Sequence, residues 1–177
     1  MEFSTKVFAD GLAGYKAQMA QSTGCLAVAF FASATKNSQR LGGLLHSLDQ
    51  ATAGVISRAL KQGDLQLKAG GHLMLSASEG WAKAGLKADR LLLICLGDEP
   101  FKIDGFSKTV NGALKVLTAS SAKDVLWVFE KTGKNDSPAQ VRLLAQLARE
   151  SVYQFGARHP GFKTKPADKP SKLTKFI

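Results

Sequence analysis

The sequence predicts an α/β layered fold with a mixed sheet flanked by helices. Three observations carry that prediction. Apolar runs of the length of buried strands recur at Cys25–Phe31, Arg90–Leu96 and Asp124–Phe129. Stretches with apolar residues at helical spacing lie between and after them. The composition, 45% hydrophobic and 21% charged over 177 residues, is ordinary for a globular chain and speaks against disorder, collagen or coiled coil. A chain this long buries roughly 70% of its unfolded surface and needs no metal or disulfide to fold.

The elements follow in order. Glu2–Phe8 alternates Phe3, Thr5 and Val7 with Glu2, Ser4 and Lys6, the period of a half-buried strand. Gly11–Gln21 reads as a loop or a short helix. Cys25–Phe31 is continuously apolar, which suits a strand covered on both faces. Thr35–Arg40 is a polar loop. Leu41, Leu44, Leu45, Leu48, Thr52, Val55, Ile56 and Leu60 place one stripe on a helix from about Leu41 to Gln62. Gly54 lies inside it, so the helix bends there or is two helices. Gly63 fits the left-handed position that ends a helix.

Lys68–Gly71 is a turn and His72–Ser76 a short strand; Ser78–Lys87 is weakly patterned. Arg90–Leu96 is the most apolar run and reads as a central strand, ended by Gly97-Asp98-Glu99-Pro100. Val110, Leu114 and Leu117 share one face of a helix over about Asp104–Ala119. Asp124–Phe129 is another strand and Lys131–Asp136 a loop. Ser137 as cap and Pro138 in the first turn start a helix. Val141, Leu144, Ala145, Ala148 and Val152 carry its stripe to about Phe155. Leu173–Ile177 is a last-strand candidate.

Charge is uneven. From Arg158 to Ile177 there are six basic residues against Asp168 alone, which is half of the +10 net charge, and three of the five prolines. Pro and Lys together disfavour helix and self-repel. The organisation expected is therefore a domain over 1–156 and a basic Pro/Lys-rich linker over 157–177. The linker lysines Lys163, Lys165, Lys169, Lys172 and Lys175 could track a phosphate backbone. DNA is the partner they suggest, against a solubilising connector as the plainer reading.

Chemistry is sparse. Cys25 and Cys95 sit inside apolar runs and read as buried thiols acting as small hydrophobes. Their usage fits a reducing cytosol. Glu2 follows Met1, with no secretory signal, and the apolar run Gly24–Ala34 falls far short of the ~20 residues of a membrane span. The histidines His46, His72 and His159 are scattered, and no His, Cys, Asp or Glu set has metal-ligand spacing. Ser57 shows no base, and no nucleophile elbow is present. His46 reads as an ordinary helix histidine, and Asp49, three residues on, could pair with it. Gly11-Leu-Ala-Gly14 and Gly70-Gly71 are too short for a dinucleotide fingerprint. Trp81 and Trp127 are too scattered for base stacking. Asp98 and Glu99 follow a strand, where open α/β sheets place their ligands; they are the ligand-facing candidate.

The segment from Asp49 through Gly54-Val55-Ile56-Ser57, Leu60 and Gly63 to Lys68-Ala-Gly70 resembles the amino-terminal domain of leucyl aminopeptidases, the cytosol aminopeptidases. Leu67 stands where a glycine is common in that family. Arg90–Gly97 followed by Asp98-Glu99, the opening Met1-Glu-Phe-Ser4 and the closing Lys172–Ile177 fit the same pattern, which covers nearly the whole chain.

The resemblance implies a macro-domain-like three-layer sandwich. It also implies that catalysis belongs to a separate carboxy-terminal domain holding two divalent metals, zinc or manganese, a lysine and an arginine in an Asn-Thr-Asp-Ala-Glu-Gly-Arg context. That motif is absent here, so no catalytic or metal-binding residue of the family carries over. The phosphate-cradling glycine loops of true macro domains are missing too. The implied parent is a cytoplasmic, metal-dependent hydrolase that removes amino-terminal residues such as leucine from peptides. The implied partners are the catalytic domain and the other copies in a homohexamer. The isolated chain is expected to be monomeric and inactive.

Overall fold

Strand-length apolar runs become strands because both of their faces can be covered at once. In the computed structural model, residues 2–6, 8, 11–35, 41, 43–98, 103–130, 138–151 and 172–177 are described. The strands are β1 (Glu2–Phe3), β2 (Cys25–Phe30), β3 (His72–Ser76), β4 (Arg90–Cys95), β5 (Asp124–Phe129) and β6 (Lys175–Phe176). The helices are α1 (Gly11–Met19), α2 (Gly43–Ala51), α3 (Val55–Gln62), α4 (Glu79–Lys83), α5 (Ile103–Ala119) and α6 (Pro138–Ser151), with a 3-10 turn at Ala32–Thr35.

The six strands form one sheet in the order β1-β6-β5-β2-β4-β3. Only β3 runs antiparallel to its neighbour; the other pairs are parallel. The sheet is mixed, as expected, and β4 is interior. The alternation along β2 explains its packing. Leu26, Val28 and Phe30 point to one face, where α2, α3 and α4 bring Leu44, Leu45, Leu48, Ile56 and Trp81. Cys25, Ala27 and Ala29 point to the other, where α5 and α6 bring Phe106, Val110, Leu114, Leu117 and Leu144. Small residues on that second face let the 17-residue α5 lie close. The result is a three-layer α/β/α sandwich.

Several expected boundaries shift. Of the strand expected over Glu2–Phe8, Glu2 and Phe3 pair with β6, and the Ser4 amide also donates to Phe176. Gly11–Gln21 is a helix to Met19. The single helix over Leu41–Gln62 is two, broken where Ala53 and Gly54 take φ of 54° and 76°. Gly63 at φ 82° ends α3 by donating to Ala59 and Leu60 carbonyls, the left-handed cap expected of it. The weakly patterned stretch contains α4, pinned by Trp81, which is buried. Val141, placed on the apolar stripe of its helix, is 44% exposed, while Leu144, Leu147 and Ala148 are buried. The loop expected over Thr35–Arg40 has Thr35 in the 3-10 turn; its remainder, the loop Lys131–Asp136, the cap Ser137, and Val152–Phe155 fall outside the described residues, as does most of 157–177. The last-strand candidate contains β6, which lies between β1 and β5.

Candidate functional site

The carboxyl ends of parallel strands are where an open α/β sheet offers its chemistry. At the end of β5 the chain places Glu130, whose side chain is buried. Both of its oxygens accept from the Leu44 amide, at 3.0 and 3.1 Å. Leu44 stands at the start of α2, where unpaired N–H groups and the helix dipole favour negative charge. Burial pushes the Glu130 carboxyl up to about 7, and the Leu44 and Leu45 amides hold it down only in part. A glycine is required beside it. Gly43 has φ 52°, and a Cβ there would lie 2.1 Å from Glu130 Oε1 and 2.9 Å from the Tyr15 hydroxyl. The Glu130 carboxyl therefore caps the start of α2 and ties it to the end of β5.

The sequence reading missed Glu130. The signal available was a lone carboxylate directly after an apolar strand, together with Gly42-Gly43 opening a helical stripe. Neither says alone that the two meet across 86 residues.

Of the expected ligand-facing pair, Asp98 is among the described residues. Asp98 is exposed and follows Gly97, whose φ of 86° and close approach to Ala69 make the sharp end of β4. Glu99 lies outside the described residues. β2 stands between the ends of β4 and β5, so Asp98 and Glu130 do not share one strand end. Among the described residues no group of three or more His, Cys, Asp or Glu could hold a metal.

Asp49 does not pair with His46. It accepts from the Ser57 amide at 2.9 Å and from the Ser57 hydroxyl at 2.5 Å. Gly54, at the α3 start, has no side chain to cap the helix, so Asp49 on the preceding helix does it. His46 instead contacts Gln50, Nε2 to Nε2 at 3.1 Å. The Asp-to-Gly-Val-Ile-Ser segment is thus a helix–helix junction. Cys25 and Cys95 are free and buried; burial pushes the Cys25 thiol up to about 12 and raises Cys95, so neither is a reactive thiolate.

Of the basic residues expected to meet DNA, Lys163, Lys165 and Lys169 lie outside the described residues. Lys172 is exposed. Lys175 sits in β6 with its ammonium 3.6 Å from Glu2.

The family model for the cytosol aminopeptidase family, N-terminal domain, matches residues 27–165. A protein of Cupriavidus taiwanensis named "Probable cytosol aminopeptidase" is 37% identical over 92% of this chain and 30% of its own. One of Cupriavidus metallidurans with the same name is 34% identical over 100% of this chain and 34% of its own. The chain thus spans about a third of the length of these curated relatives. Among solved structures, a tomato leucine aminopeptidase variant superposes with a TM-score of 0.68 at 17% identity, covering 88% of this chain and 29% of that one. The macrodomain of Mycobacterium tuberculosis DarG gives 0.53 at 8% identity, covering 99% and 97%. At such identities these two likenesses speak for the fold alone, the macro-domain-like sandwich.

Proposed function

From the premise that the chain belongs to the cytosol aminopeptidase family, as its amino-terminal domain, we propose that it serves a metal-dependent aminopeptidase without carrying out the chemistry itself. The whole enzyme removes amino-terminal residues such as leucine from peptides in the cytoplasm. This domain packs on the catalytic domain and shapes assembly, as a homohexamer, or access to the active site. The observation that carries the reading is the domain-wide family match over residues 27–165.

The side chains support it. Glu130 and Asp49, the two carboxylates held inward at helix starts, are both engaged with backbone amides of this fold. The family resemblance assigns the two divalent metals, zinc or manganese, to the catalytic domain. No observation favours the nucleic-acid reading over this one.

The test is an assay of the pure 177-residue chain with a leucyl substrate and added Mn²⁺ or Zn²⁺. No turnover is expected, and sedimentation should give one species near 18.9 kDa. Robust metal-dependent turnover by this chain would overturn the proposal.

A further inference from the structure

A cavity of about 530 Å³ lies beyond β6 in the plane of the sheet. Phe3 and Ser4–Lys6 form one wall, and Leu126–Phe129 of β5 the other. Phe176 and Ile177 form its floor, while Leu144 and Val141 of α6 close one face and Gln18 of α1 the other. β1 and β5 are the neighbours of β6 on its two sides, so the walls stand two strand spacings apart, about 10 Å. The cavity is therefore one strand wide and in line with β6.

The backbone of β5 shows what fits. The Ile177 amide donates to Val125, and the Trp127 amide donates to Ile177, both at 2.8 Å. The Glu130 amide donates to Ala29 of β2. Odd-numbered positions of β5 thus serve the β6 side and even-numbered positions serve β2. Two residues on, the Trp127 carbonyl and the Phe129 amide face the same side as the bonds to Ile177. Trp127 and Gln18 are both among the residues lining the cavity. They lie on opposite faces: Trp127 belongs to the α5–α6 core, and Gln18 is on α1, beneath the other layer.

We propose that this cavity is the seat of one extended, largely apolar segment that continues β6 by two or three residues, parallel to β5. The occupant is the polypeptide that follows the counterpart of Ile177 in proteins of the relatives' length, which is about three times that of this chain. This rests on the family reading above. Phe176 packs in the α5–α6 core and Ile177 against the other. By strand alternation, the first residue after Ile177 faces the Trp127 side and the second the Gln18 side. The junction to the rest of the enzyme is then a strand shared with this sheet, and the domain cannot rotate freely about a flexible tether.

The test appends Val-Thr-Val-Thr after Ile177 and follows amide exchange by NMR, alongside thermal unfolding. The Phe129 amide should exchange at least tenfold more slowly than in the 177-residue chain, and Tm should rise. Val141→Lys, at an exposed position on the groove wall, should reverse most of that slowing in the extended chain while leaving the 177-residue chain folded. An unchanged Phe129 rate overturns the proposal, as does slowing that Val141→Lys leaves intact. Protection of Phe129 in the 177-residue chain that grows with protein concentration assigns the groove to a second copy and overturns it too. None of these readouts depends on peptide turnover, so the outcome is separable from the family reading.

Discussion

The two sides of the sheet are built on different terms. β2, β4 and β5 are six residues each, almost wholly buried, and each is paired on both edges. β1 and β6 are two residues each and meet the rest through a short register. The first group is held by apolar area on both faces. The second is held by a few main-chain bonds, the stacking of Phe3 on Phe176 at 5.9 Å and one exposed ion pair. The difference teaches that the domain has a self-sufficient centre and a margin that depends on its neighbours.

The sharpest way to break the comparison is Leu93→Ala in β4. Leu93 has no exposed surface, and a cavity there should cost about 2–5 kcal/mol, read from urea denaturation. A loss well under ~1 kcal/mol would mean that the centre can repack and is not the rigid half.

Next comes Glu130→Gln, where the centre meets a helix terminus. Because the folded carboxyl is raised to about 7 from a reference of 4.5, the folded state binds the extra proton between those values. The wild-type contribution is fully present below about pH 4.5 and is lost as pH rises through about 7. Glutamine cannot ionise, so its stability relative to wild type should climb across that window, by about 3 kcal/mol at pH 8. A flat difference between pH 4.5 and 8 would show that the carboxylate is not held in the buried setting described.

Asp49→Ala removes the cap that bridges α2 and α3 and should cost about 1 kcal/mol. Slower exchange at the Ser57 amide in the variant would contradict that role. Lys175→Ala at the margin should change stability by less than ~0.5 kcal/mol, because the pair with Glu2 is solvent-exposed. A larger loss would mean the edge is not the weak half.

Much of the centre was legible in the sequence, and for a reason. A strand covered on both faces must be apolar throughout, so Cys25–Phe31, Arg90–Leu96 and Asp124–Phe129 announced themselves. His72–Ser76 was found because turn residues bracket it. Gly63 was found because a left-handed cap needs a residue without Cβ. The site was less legible. Helical spacing offered Asp49 to His46 as a possible partner; the break at Ala53–Gly54 turned it toward Ser57 instead. Glu130 carried no pattern, since a single carboxylate acquires meaning only from what faces it.

By itself, then, the sequence determined the layer class, the three central strands, the helix stripes and the family, because these rest on local periodicity and on motifs contiguous along the chain. The tertiary structure alone decided that β6 inserts between β1 and β5, that Glu130 sits on the α2 amides, and that a strand-wide groove opens beside Trp127. Those depend on pairings across dozens of residues, for which neither hydrophobic period nor spacing leaves a mark.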